Sequence, residues 1–242
     1  MYEYKRLAIA SVLEKTNNLD KPILFPYAKE ELRNLFFEKR YSSNIIYYVF
    51  ADTLVKVKDK IDFSNVCFDD VYVSGMDFTN MHGVKINPQT IYEKNLYKTI
   101  LNGVEFVSAN KAVADLFDGV DVRYANFTGS KGAIINPQTV NLKSLNSCTL
   151  ADVDFNGFPF DGVWVNGANF TGSLNAKIDP NFLVGIGRNT FADVIWNDVE
   201  FIDIFTPSSL KKGCDFIDKD SYNNLFLKVA EYKEEVKSLI KN

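Results

Sequence analysis

Apolar residues recur along the middle of the chain at intervals of five, a period that suits neither an amphipathic helix nor a half-buried strand. Phe63, Phe68, Val73 and Phe78 keep this interval, as do Phe117, Val122 and Phe127, and as do Leu150, Phe155, Phe160, Val165 and Phe170. Two residues ahead of most of them stands a second small or apolar side chain: Val66, Val71 and Met76; Val120 and Ala125; Cys148, Val153, Phe158, Val163 and Ala168. Asp, Asn, Gly, Ser and Thr fill the places between. A five-residue unit with two inward positions and a polar turn predicts one side of a four-sided coil, so a whole coil takes about 20 residues. A coil cannot bury its own upper and lower faces, and such units are stable only as a stack.

A longer repeat overlies the short one. FTNMHGVKINPQT begins at Phe78, FTGSKGAIINPQT at Phe127 and FTGSLNAKIDPNF at Phe170, offsets of 49 and 43. FDDVY at Phe68, FDGVD at Phe117 and FDGVW at Phe160 keep the same offsets. The shorter offset makes two coils of about 20 residues with three left over. The further six residues of the longer offset fall in VSANKAVADL (107–116), where the later copy has NGFP (156–159), and predict a loop insertion on one side. Columns of stacked Phe and Leu explain why the chain holds 20 Phe. The I(N/D)P segments at Pro88, Pro137 and Pro180 are expected to interrupt the coils as turns or excursions, because Pro has no amide donor and biases the residue before it away from helix. TIYEKNLYK (90–98) and TVNLKSLN (139–146) then read as short loops or single helical turns.

The units ANFTG (125–129 and 168–172), ADVDF (151–155) and VDVRYANF (120–127) resemble the A(D/N)LXX signature of the pentapeptide-repeat family. The resemblance spans roughly 61–205, ending in TFADVIWNDVEF (190–201) with Phe191, Trp196 and Phe201 inward. It implies an all-β solenoid, a right-handed quadrilateral β-helix. It also implies a binding function, since the family includes quinolone-resistance and gyrase-interacting members understood as mimics of DNA.

The flanks follow a different period. In residues 1–60 the apolar positions Tyr4, Leu7, Ala8 and Val12, then Leu32, Leu35 and Phe36, predict helices that cap the first coil. Residues 206–242 predict a linker and one amphipathic helix with Leu225, Val229, Tyr232, Val236 and Leu239 as its stripe, read as a cap or a dimerisation element.

Charge narrows the function. The net charge is −4, with +3 in residues 1–60, −5 in 61–180 and −2 in 181–242. That distribution argues against direct nucleic-acid binding, which needs clustered Lys and Arg. Cys67, Cys148 and Cys214 are widely separated and odd in number, which fits a reducing compartment. No segment reads as a secretory signal or a membrane span, so a cytoplasmic location is expected. His82 and the cysteines lack metal-ligand spacing, and neither a cofactor motif nor a catalytic constellation is visible. VGIGRN (184–189) carries only a lone GxG, which reads as a turn. The expected activity is therefore non-enzymatic binding through an acidic solenoid surface, with an enzyme acting on nucleic acid as the class of protein partner that the resemblance implies. The acids Asp69, Asp70, Asp118, Asp121 and Asp161 sit at turn or outward positions, beside the outward-leaning aromatics Tyr72, Tyr124 and Trp164. The competing account of the acids is that Asp and Asn satisfy turn backbone groups. The alternative function is a scaffold that forms a homodimer through the C-terminal helix.

Overall fold

A computed structural model describes residues 11, 14–15, 23–24, 57–108, 115–179 and 193–202. Most of the expected N-terminal helical block, the C-terminal segment with Cys214, the VGIGRN turn, Pro180, Phe191 and much of the 107–116 insertion lie outside the described residues.

Within them the backbone forms short strands paired in parallel. β1 (Ile23–Leu24) pairs with β2 (Ile61–Asp62), and β3 (Lys85–Ile86) with β4 (Glu105–Phe106). β5 (Ala133–Ile134) pairs with β6 (Val153–Asp154), and β7 (Ala176–Ile178) with β8 (Val199–Phe201). Single parallel bridges continue this pairing, among them Asp62 with His82, Ile100 with Asn126, Ser144 with Trp164 and Thr149 with Asn169. Each of these bridges joins one circuit of the chain to the next, so the backbone returns to the same lateral position once per coil.

Four lateral positions, or sides, recur in each coil. The buried column of the first side includes Phe63, Ile86, Phe106, Ile135, Phe155 and Ile178. The second holds Phe68, Ile91, Phe117, Val140 and Phe160; the third, Val73, Leu96, Val122, Leu145 and Val165; the fourth, Phe78, Leu101, Phe127, Leu150, Phe170 and Trp196. These are the inward positions of the five-residue period, extended through the segments where the period is broken in sequence. Aromatic rings meet between columns and along them, as Phe106 does with Phe117 at 5.0 Å, while Phe170 stacks on Trp196 at 5.7 Å.

Outward residues next to the inward ones carry the turns. Asp62, Asp77, Asn87, Asn95, Asn126, Asn136, Asp154 and Asn169 each accept, on a side-chain oxygen, a hydrogen bond from the amide two residues on. This is why the unit selects Asp or Asn there: the side chain replaces a backbone acceptor that the corner cannot supply.

Coil length varies where the sequence does, though not at the prolines. His82 bridges back to Asp62, whereas Lys85 pairs forward with Glu105. The same three-residue shift separates Lys131 from Ile134 and Leu174 from Lys177. The surplus of the longer coils is therefore a bulge on the first side, turned by Gly83, Gly132 and Asn175 in the left-handed region. At Gly83 a Cβ would stand 2.8 Å from the side chains of Asp62 and Ser64, so both the φ of 71° and the close approach call for glycine.

Pro88 and Pro137, expected as interruptions, are buried and sit in ordinary corners. The Thr90 amide donates to the Asn87 carbonyl and Thr139 to Asn136, placing Pro at the second turn position that its fixed φ favours. Residues 92–94 and 141–143 form single 3-10 turns inside the coils. The Gln after each Pro spans to the next coil. Gln89 Nε2 donates to the carbonyls of Leu116 and Asp118, and Gln138 Nε2 to those of Pro159 and Asp161. The amide oxygens of the two Gln accept from Lys94 and Lys143, each at 2.8 Å.

Phe127 is fully buried, 6.0 Å from the Phe106 ring and 5.9 Å from that of Phe117. Phe127→Ala should cost about 3–5 kcal/mol in denaturant unfolding, because the stack cannot collapse onto the gap. The exposed Thr128→Ala should change stability by about 0.5 kcal/mol or less. Equal losses would contradict a core built of inward columns.

Candidate partner-binding surface

The candidate acids divide between two adjoining sides. Asp69, Asp118 and Asp161 follow the inward Phe68, Phe117 and Phe160 of the second side, one on every second coil. With coils spaced as neighbouring strands, these carboxylates recur about every 10 Å. Duplex DNA carries a charge about every 1.7 Å of its axis, so the column is too sparse to reproduce a phosphate backbone. The intervening coils carry Lys94 and Lys143 at the corner leading to the third side. Asp69 accepts a hydrogen bond from the Thr90 hydroxyl, and Asp118 has one carboxylate oxygen buried without a hydrogen-bond partner. Asp70 is exposed in a turn with φ 59°.

Asp121 keeps the expected outward position but is covered by Arg123. It is only 7% exposed, and Arg123 holds it through Nε at 2.9 Å and a terminal guanidinium nitrogen at 2.7 Å. The hydrogen bond to Asp121 is also the main reason that the Arg123 pKa is raised. A bidentate pair of this kind is internally neutralised, and Asp121 therefore positions Arg123 instead of presenting negative charge. Other acids are similarly committed: Glu105 pairs with Lys85 at 3.5 Å, Glu200 with Lys177 at 3.2 Å and Asp77 with Lys58 at 3.2 Å.

The aromatic candidates gather on the third side. Tyr72 and Trp164 occupy its outward column together with Asn95, Asp121 and Ser144, and Tyr124 stands at its far corner, 47% exposed. Trp164 is half-buried, and the Tyr72 ring lies 6.3 Å from Tyr92. Sequence reading missed Tyr97, whose ring meets that of Tyr124 edge-on at 5.3 Å. It also missed Lys98, whose ammonium lies over both rings at 5.2 and 5.6 Å, and Arg123, which lies over Tyr97 at 5.6 Å. Aligning Leu96 with Val122 in the five-residue register would have placed Tyr97 beside Arg123. Reading 90–98 as a loop concealed that alignment.

Backbone strain borders this side. The corner toward the fourth side is left-handed in successive coils, occupied by Gly75, Lys98, Tyr124, Ser147 and Gly167. The corner toward the second side holds Glu93–Lys94 and Leu142–Lys143, all at positive φ. A left-handed conformation costs a bulky L-residue roughly 1–2 kcal/mol. The middle coils thus place larger side chains on the fourth-side edge, at corners where the outer coils place glycine. Leu142 is 67% exposed.

Among the described residues no group of His, Cys, Asp and Glu is arranged to hold a metal, and no helix is long and apolar enough to cross a membrane. No protein family, no curated protein and no solved structure matches this chain.

Cys148 is buried, and its thiol donates to the Val122 carbonyl at 2.9 Å. Burial pushes its pKa up from 9.0 to about 12. A raised thiol pKa stabilises the fold below the unfolded value, a contribution lost as pH rises from 9 towards 12. Alkylation mapped by mass spectrometry should therefore leave Cys148 unmodified in the native chain at neutral pH and modify it in denaturant. Rapid native modification would contradict its inward placement.

Proposed function

We propose that this chain is a pentapeptide-repeat protein, a right-handed quadrilateral β-helix acting in the cytoplasm, that binds a protein partner and catalyses no reaction. The parallel pairing of each coil with the next supports the architecture. The observation that carries the function is the gathering of Tyr72, Tyr97, Tyr124, Trp164 and Arg123 on one side of the stack. Tyr, Trp and Arg are the residues in which interface energy concentrates, because each supplies a large contact area with a polar or charged handle. A straight side of a stack offers an extended surface for such a contact. The carboxylates of Asp69, Asp118 and Asp161 on the adjoining side form a charged margin that favours one orientation of the partner. Their spacing favours this role over imitation of a nucleic acid.

The test is capture from a nuclease-treated lysate with the tagged full-length chain and a Tyr97→Ser/Tyr124→Ser variant whose thermal unfolding matches it. The wild-type chain should retain a discrete partner that excess duplex DNA does not displace, and the variant should lose it. Equal retention by the variant would remove the third side from the interface. Displacement by DNA would restore mimicry, and recovery of the chain alone would favour the scaffold.

A further inference from the structure

We infer that the first side associates with the first side of a second copy of this chain, the two stacks running antiparallel about a two-fold axis. This goes beyond the binding reading above and leaves the third side free for its partner. All of β1 to β8 lie on the first side, which makes it the sheet-like face of the stack. Followed from coil to coil through the ladder pairing, its outward column carries one charge per coil: Asp62, Lys85, Glu105, Lys131, Asp154, Lys177 and Glu200. The sign alternates at every step. The acids stand on the plain coils and the lysines on the bulged ones, where His82, Ile134 and Leu174 take the second outward place.

Attraction within one chain accounts for only part of this pattern. Lys85 and Glu105 pair at 3.5 Å and Lys177 and Glu200 at 3.2 Å, all four side chains being about half exposed. Exposed pairs add little to the stability of a chain. Lys131 is exposed and forms no ion pair with another described residue. Leu174, 55% exposed, adds an apolar side chain to the same face.

An alternating column is complementary to its own reverse. A two-fold axis midway between two coils sets each lysine coil against an acid coil, whereas an axis through a coil sets like charges together. Two placements of the axis keep six of these coils in contact, and they differ only in using Asp62 or Glu200. Asp62 is half-buried and accepts a hydrogen bond from the Ser64 amide, while Glu200 is exposed. The axis therefore falls between the coils of Lys131 and Asp154. It pairs these two across the interface, and likewise Glu105 with Lys177 and Lys85 with Glu200, each pair occurring twice. Such a pattern fixes orientation and register more than it adds affinity, so the dimer should be weak and sensitive to salt. A face matched by its own reversal fits a second copy better than a partner of one sign.

The experiment is sedimentation equilibrium of the full-length chain over a range of concentration and salt. Lys85→Glu/Lys131→Glu on the first side is compared with Lys94→Glu/Lys143→Glu on the second, which changes the net charge equally. The wild-type chain should form dimers that dissociate as salt rises. The first-side variant should lose roughly tenfold or more in dimer affinity and the second-side variant about twofold or less. If charge reversal unfolds the chain, Lys85→Gln/Lys131→Gln should give a smaller loss in the same direction. Carbodiimide cross-linking of mixed ordinary and isotopically heavy chains, read by mass spectrometry, should join Lys85 of one copy to Glu200 of the other, residues about 24 Å apart within one chain. A monomer at every concentration, equal losses in both variants, or a dimer without this cross-link would overturn the inference. So would a dimer that none of the variants weakens, the result expected if the C-terminal segment alone pairs the chains.

Discussion

Each coil depends on its neighbours for its backbone hydrogen bonds and for the burial of its inward side chains. The Leu101 amide bonds the Asn126 carbonyl, the Phe127 amide that of Thr149, the Leu150 amide that of Asn169 and the Phe170 amide that of Ile195. This ladder extends along the fourth side, and similar bonds join the other sides. The inward columns follow from it, because residues in register on successive coils meet above and below one another. A lone coil would leave its amides unpaired and its Phe exposed, so the unit of stability is the contact between coils.

That constraint determines where length can vary. Three surplus residues are accommodated on the first side, where a left-handed residue turns a bulge between the pairing below and the pairing above. The six extra residues of the 107–116 insertion enter between Phe106 and Phe117, so that both rings still meet in the core. The Asn-Pro-Gln-Thr corner serves the ladder in two ways. Its turn closes on itself, and its Gln amide satisfies carbonyls on the following coil.

The surface is left to a different selection. On the first side, Lys and Glu face each other across the ladder and cancel. On the third side, the one carboxylate among the described outward-column residues is buried against Arg123, and Lys98 lies over the rings of Tyr97 and Tyr124.

The sequence by itself determined the inward positions. A five-residue hydrophobic period and a long duplicated block leave few ways to bury so many Phe, and Asp or Asn beside many of the inward residues shows the turn chemistry. It did not reveal the third-side cluster. Tyr97 and Tyr124 belong to separate coils of unequal length, and only the ladder register brings their rings to 5.3 Å. Nor did it show that Asp121, which precedes inward Val122, would be covered, while Asp161, which follows inward Phe160, would be exposed. The fate of each carboxylate depends on which neighbour reaches it: Arg123 folds back on Asp121, while the Gln side chains take the backbone carbonyls of Asp118 and Asp161, with Asp161 exposed and one oxygen of the Asp118 carboxylate buried. The short period is local chemistry and can be read along the chain. Pairing across coils depends on the cumulative effect of every bulge and insertion between them, and only the tertiary structure decides it.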